Sequence, residues 1–244
     1  MTIKHAMILA AGLGTRMRPL TLKTPKPLIK VGRKNLLERS LNLLENHGVE
    51  QIIINVHHLA DQIEKFLLDV KSKVKITISN EKDFLLDTGG GVKEGTKIFG
   101  KNPFFIINPD TLWLNNYSGE MQSLEKIYYE NKKPCMLLVN KRLSFDTSFK
   151  GDFNLKNKIV SKDKENNFIF TGLQLLDRNP LDTFTKKVFS MNEVWDKLIS
   201  ENKLYGHESS QIFYHLNTEN IYIYSTLSNK SFRSNRLWVI RNSR

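Results

Sequence analysis

The chain has 244 residues, of which 40% are hydrophobic, 10% aromatic and 25% charged, a balance that excludes a low-complexity or disordered chain and predicts a globular protein with a sizeable core. No repeat of solenoid period is present, and no apolar run approaches the roughly 20 residues a membrane helix needs. Lys and Arg number 37 against 25 Asp and Glu, and the formal net charge of +12 raises nucleic acid, a membrane surface or a phosphate ligand as partners.

Residues 6–11 (Ala-Met-Ile-Leu-Ala-Ala) are a short continuous apolar run and predict a buried parallel strand. The stretch then breaks at Gly12 and is followed by bases, which is unlike a secretory signal; a cytoplasmic protein is expected. Leu37, Leu41 and Leu44 recur at helical spacing and stop at His47-Gly48, a C-cap signal. Residues 51–56 predict the next strand, 60–70 a helix with Ile63, Phe66 and Leu67 on one face, and 74–78 a third, alternating strand. A glycine-rich helix start at 89–91 precedes a buried strand over 104–108. This rhythm predicts an α/β fold: a mostly parallel sheet, helices on both faces, and ligands beyond the carboxyl ends of the strands.

Residues 124–129 read as helical and 135–139 as another buried strand. The latter holds Cys135, the one cysteine of the chain, so no intramolecular disulfide or Cys-based zinc site can form, and a buried thiol in a reduced compartment is expected. From about 150 the stretches are shorter and alternate: 152–155, 168–171 and 174–176 predict a small antiparallel addition at one end of the sheet. A helix over 191–200 and a last strand over 212–216 follow. No linker is evident, so residues 1–224 are expected to form one domain, followed by a basic tail, 225–244, either disordered or docked through Trp238.

The charge is concentrated at the ends. Residues 1–37 contain no acid and eight bases, and 225–244 no acid and five; thirteen bases against a total of +12 leave the 38–224 body at −1. The loop after the first strand reads Gly12-Leu-Gly-Thr-Arg-Met-Arg-Pro-Leu-Thr21, then Lys23-Thr-Pro-Lys-Pro-Leu28. Its glycines let backbone N–H groups approach an anion, Arg16, Arg18 and Lys26 suit phosphate oxygens, and three prolines stiffen it. It is neither a dinucleotide-binding fingerprint, which needs a third glycine where Met17 stands, nor a P-loop, which needs Gly-Lys-Ser/Thr.

The run from Leu9 to Thr21, followed by Pro25-Lys-Pro-Leu28, resembles the signature of sugar-1-phosphate nucleotidyltransferases. The resemblance continues through Asn55-Val-His-His-Leu59, Thr88-Gly-Gly-Gly91 and Asn108-Pro-Asp110, and covers about residues 4–220. Within the family, the short chain, the Thr-Gly-Gly-Gly element and Gly151-Asp-Phe153 look most like the N-acetylmuramate-1-phosphate uridylyltransferases of peptidoglycan recycling; mannose-1-phosphate guanylyltransferases share most of these features.

The resemblance implies a Rossmann-like fold of the nucleotide-diphospho-sugar transferase type. The implied reaction is attack by a sugar-phosphate oxygen on the α-phosphorus of a nucleoside triphosphate, with Mg²⁺ as cofactor and Mn²⁺ as an alternative. Arg16, Lys26 and Asp110 become the catalytic residues. The nucleotide set is Ala10, Ala11, Gly12, Gly14, Thr15, Arg16, Lys26, Glu81, Thr88, Gly89 and Asn108. The Thr88–Gly91 glycines would let a ring or ribose pack against backbone, and Glu81 is read equally as a base acceptor or an exposed turn residue. Asn108, Asp152, Gly172 and Asn192 are expected on the sugar side. Asp110 and His215 are the candidate metal residues; His215 stands where the family has Asp, Asn217 where it has Gly, and Pro109 replaces another usual Gly. Imidazole suits Mn²⁺ better than Mg²⁺. His57 and His58 read as loop packing, because this chemistry needs no base. Partners are then a nucleoside triphosphate and a sugar 1-phosphate rather than nucleic acid or membrane, and the protein is expected to be a monomer or homodimer. A nucleotide-binding homologue without turnover is the other reading that the His215 departure leaves open.

Overall fold

In the computed structural model, which describes residues 2–218, the elements begin with β1 (His5–Leu9) and a small ribbon of β2 (Lys30–Val31) and β3 (Lys34–Asn35). There follow α1 (Leu36–His47), β4 (Gln51–Val56), α2 (Ala60–Leu68), β5 (Lys75–Asn80), α3 (Asp87–Gly95), β6 (Phe104–Ile107), α4 (Ser118–Asn131) and β7 (Cys135–Asn140). The rest comprises β8 (Asn154–Lys156), β9 (Ile159–Ser161), β10 (Phe168–Leu176), the single turn α5 (Asn179–Asp182), α6 (Met191–Ser200) and β11 (Tyr205–Ser209). The expected domain end at 224 and the basic tail 225–244 lie outside the described residues.

The nine-stranded sheet has the order β5-β4-β1-β6-β10-β7-β11-β9-β8. The strands β5, β4, β1 and β6 run parallel, as the sequence rhythm predicts. Side chains alternate across the sheet: Ala6 and Ile8 pack with Leu37, Leu41, Ile63 and Leu124 of α1, α2 and α4, whereas Met7 and Ile53 pack with Val92, Val194 and Leu198 of α3 and α6. Helices therefore cover both faces. The C-cap expected at Gly48 holds, and the structure adds two N-caps. Asn35 caps α1 by accepting the Glu38 N–H at 2.7 Å, Gly48 ends that helix at φ 96°, and Ser190 with Glu193 forms a capping box on α6. Among the described residues no helix is long and apolar enough to cross a membrane.

Three expectations are corrected. The stretches 168–171 and 174–176 form one strand, β10, with a register shift between Phe170 and Gln174. This strand is not at the end of the sheet: it lies between β6 and β7, antiparallel to both. Alternation reports the period of a strand, not its neighbours, and only the packing of Leu173 and Leu175 against one core and Leu176 against the other fixes it centrally. The segment 212–216 is not a strand; it makes isolated bridges, His215 opposite Thr111 and Phe213 opposite Ser144. The last strand is instead β11, parallel to β7. Its polar sequence, Tyr-Gly-His-Glu-Ser, disguises it. Buried Glu120 of α4 satisfies that polarity by accepting from Ser209 Oγ at 2.8 Å and pairing with His207 Nε2 at 2.9 Å.

Candidate active site

Strand order reverses at β1, with β4 and β5 on one side and β6 on the other, so the loops after β1 and β6 flank a topological switch point. Two adjoining clefts open there, of about 360 and 410 Å³. They share Asn108 and Asp110, which directly follow β6.

The loop after β1 closes on itself at one wall of the first cleft. Gly14 takes the left-handed conformation (φ 63°), and its carbonyl accepts from Met17 N–H at 2.9 Å and Thr21 Oγ1 at 2.8 Å. Buried Met17 plugs the turn beneath, leaving Thr15 and Arg16 exposed, and among the described residues the Arg16 guanidinium has no partner. A polar strut holds the loop from below. Asn55 Oδ1 accepts Ala10 N–H at 2.8 Å, which draws Ala10 out of the strand ladder, and Asn55 Nδ2 donates to Glu81 Oε1 at 2.8 Å. Glu81 Oε2 accepts Leu86 N–H at 3.0 Å. Glu81 lines the cleft, yet only 3% of it is exposed and both carboxylate oxygens have protein donors; it is not an exposed turn residue. His57 and His58 sit against the carbonyls of Glu81 and Thr21, each at 2.8 Å, in the packing role expected of them.

The glycines of α3 serve a different purpose from the one read in the sequence. A Cβ on Gly89 would fall 2.5 Å from the Phe189 ring, on Gly90 2.2 Å from the Lys187 carbonyl, and on Gly91 2.7 Å from Glu81 Oε1. The close approach they permit is to protein, not to a ring or ribose, because the 187–190 segment fills the space over Gly89 and Gly90 and the Glu81 carboxylate that over Gly91. Gly89 accordingly does not line the cleft. The ten other residues expected for the nucleotide do, from Ala10 to Asn108.

At the seam of the clefts, Lys26 Nζ lies 2.7 Å from Asp110 Oδ2, with the two side chains 15% and 21% exposed, and His215 Nε2 lies 3.0 Å from the same oxygen. Backbone pairing brings His215 there: Leu216 N–H donates to Asp110 O and Leu112 N–H to Tyr214 O, each at 2.8 Å. The His215 ring packs against Phe149 and Phe213, with ring centroids 5.6 and 5.8 Å away, and these two rings also meet each other at 6.2 Å. Burial alone would raise the Asp110 carboxyl; the charges and hydrogen bonds of Lys26 and His215 outweigh it and hold the group well below the usual carboxylate range. Pro109 leaves that carboxylate in place. Asn108 is fixed by its backbone, N–H to Gly172 O and O from Trp113 Nε1, both at 2.8 Å, so its side-chain amide lines both clefts without a partner among the described residues.

Asp152, Gly172 and Asn192 all line the second cleft, as expected. Asp152 Oδ2 accepts Phe170 N–H at 3.0 Å. Sequence reasoning assigned no role to Asn55, to Lys162 and Phe149 of the second cleft, or to Asn217 of the first. Asn55 had a signal: it ends an apolar strand just as Asn108 follows one. Asn217 had none. Its Nδ2 donates to Asp146 Oδ2 at 3.3 Å, which turns Oδ1 the other way, buried and unpartnered among the described residues.

Among the described residues no three His, Cys, Asp or Glu side chains gather as a metal cage. Asp110 still fits a hard cation, because Oδ1 has no protein partner among the described residues and Mg²⁺ commonly takes one carboxylate plus ligand phosphates. His215 fits less directly, since its Nε2 is spent on Asp110 Oδ2.

The sequence profile described as nucleotidyl transferase matches residues 5–140, more than half of the chain. The chain belongs to that family and is a nucleotidyltransferase. It is 29% identical over 221 residues to the N-acetylmuramate alpha-1-phosphate uridylyltransferase of Caulobacter vibrioides, covering 87% of this chain and 91% of that protein. It is 30% identical over 210 residues to mannose-1-phosphate guanyltransferase 2 of Candida glabrata, covering 82% of this chain and 57% of that one. The crystal structure of a UDP-glucose pyrophosphorylase complexed with UDP-glucose superposes with a TM-score of 0.78 at 15% identity, covering 95% of this chain and all of that one, and so shares the fold.

Proposed function

We propose that the protein joins a sugar 1-phosphate to a nucleoside triphosphate with release of pyrophosphate, and that its substrates are N-acetylmuramate 1-phosphate and UTP, as in cell-wall recycling. The observation that carries this reading is the Lys26–Asp110 pair, 2.7 Å apart at the seam of two clefts. One cleft presents Arg16, unpaired among the described residues, on a turn of backbone N–H groups; the other is lined by polar and aromatic side chains.

Both substrates are anions, so the chain's task is neutralisation and in-line alignment rather than proton transfer. The Gly14–Arg16 backbone and the Arg16 guanidinium hold the β- and γ-phosphates. Lys26 leaves Asp110 for the α-phosphate and the incoming sugar phosphate, where charge develops. Asp110 would then hold Mg²⁺ (Mn²⁺ being the alternative), which supplies further neutralisation at the phosphate oxygens. His215 keeps the Asp110 carboxylate aimed. Thr88 borders the nucleoside, with Glu81 as the strut beneath it. Asn108 meets ribose and sugar hydroxyls, and Asp152, Asn192 and Gly172 border the sugar.

The similarity to a guanyltransferase supports a second reading, GTP with mannose 1-phosphate. A pyrophosphate-release screen of UTP, GTP, CTP and dTTP against several sugar 1-phosphates, with Mg²⁺ and Mn²⁺ compared, decides. The highest kcat/KM is expected for UTP with N-acetylmuramate 1-phosphate. Preference for GTP with mannose 1-phosphate would install the second reading, and silence across the grid from folded protein would leave a nucleotide-binding module.

A further inference from the structure

We propose that Lys162 reads a carboxylate on the sugar and makes the second cleft selective for a sugar 1-phosphate that bears a carboxylic acid; this rests on the function proposed above. Among the described residues lining that cleft, Lys162 is the one Lys or Arg. It follows β9, on a turn pinned by reciprocal hydrogen bonds of Asp163 N–H to Asn166 Oδ1 and Asn166 Nδ2 to Asp163 O, each at 3.0 Å. Asn154 Nδ2 ties the same turn to β8 by donating to Asp163 Oδ2 at 3.0 Å. The Lys162 ammonium rests 3.2 Å from Asp196 Oδ1 of α6, with the two side chains 48% and 58% exposed. An ion pair so open to water is worth little, so the ammonium exchanges to a ligand carboxylate at small cost.

The rest of the cleft suits the same group. Trp195, anchored by Nε1 on Gln174 Oε1 at 2.9 Å, meets Phe170 and Phe153 edge-on at 4.8 and 5.8 Å and forms an apolar wall. N-acetylmuramate differs from N-acetylglucosamine by a lactyl ether, a methyl and a carboxylate on one short branch, which asks for an apolar wall and a cation together. Sugars that carry only hydroxyls give the ammonium nothing to neutralise.

The test is the ratio of the KM for N-acetylglucosamine 1-phosphate to that for N-acetylmuramate 1-phosphate, measured with UTP, in wild type and in Lys162→Ala, Lys162→Glu and Lys162→Arg. In Lys162→Ala the ratio should fall about 10- to 100-fold, the loss of one charge-assisted hydrogen bond. It should fall further in Lys162→Glu and be largely kept in Lys162→Arg, with the fall confined to KM. A Lys162→Ala ratio equal to that of wild type, in an enzyme that prefers N-acetylmuramate 1-phosphate, would overturn the role of Lys162 and leave the proposed function standing. A wild type that does not take N-acetylmuramate 1-phosphate would overturn both.

Discussion

At the residue scale the site turns on one carboxylate with two cationic or polar partners. Because Lys26 and Asp110 meet at the seam of the clefts, Lys26→Ala should lower kcat/KM about 10²–10³-fold, as for other groups aimed at developing charge, while His215 still partners Asp110 and the fold survives. Pyrophosphate-release kinetics and circular dichroism on the same preparation check this, and near-normal turnover would remove Lys26 from the mechanism. Cys135 lies at the opposite extreme. It is 1% exposed within β7, and burial pushes its thiol up, out of reach of neutral-pH thiolate chemistry. Ellman's reagent should therefore find no thiol in native protein and one after denaturation.

At the element scale, α3 is seated by its glycines and β11 by the contacts of Glu120 with His207 and Ser209. Gly90→Ala would put a methyl 2.2 Å from the Lys187 carbonyl; the overpacking should cost at least about 1–3 kcal/mol, and a thermal melt should show Tm lowered by several degrees. Glu120 binds α4 to β11. Burial alone would raise its carboxyl, but His207, Ser209 and Ser210 outweigh that and hold it below the ordinary value of 4.5. The unfolded chain therefore binds this proton more readily than the folded one. The stabilisation is complete above about pH 4.5 and is lost as pH falls toward the lower native value. Urea midpoints at pH 7 and pH 4 should differ less in Glu120→Gln than in wild type.

At the scale of the whole molecule, the +12 charge separates into an acid-free stretch, residues 1–37, that includes the loop after β1, a tail outside the described residues and a body at −1. A ligand that neutralises this loop stabilises the folded state by mass action. At about 100 times its Kd it adds about 2.7 kcal/mol, or roughly 5–10 °C in Tm for a protein of this size. Scanning fluorimetry should show that shift with UTP, a smaller one with CTP or GTP, and little with UMP, which lacks the β- and γ-phosphates that Arg16 is proposed to hold. Equal shifts for UTP and UMP would argue against the phosphate role of the loop.

The sequence by itself determined the parallel half of the sheet, the helices on both faces and the first loop, because these depend on local signals: continuous apolar runs, heptad-like leucines, caps, and glycines beside bases. It also offered Lys26, Asp110 and His215 as candidates, each through the resemblance of its own short segment to a family motif. Only tertiary structure decided the rest. The central place of β10 depends on which strands flank it, and the strand character of β11 depends on Glu120 from another element. Glu81 became a strut because Asn55, far away in sequence, supplies its donor, and Gly89 and Gly90 became packing residues because the 187–190 segment closes over them. Lys26, Asp110 and His215 come from three separate loops, and no periodicity along the chain encodes that they converge on one oxygen. Hydrophobic pattern and turn chemistry act between near neighbours, whereas charge pairing and close packing act through space.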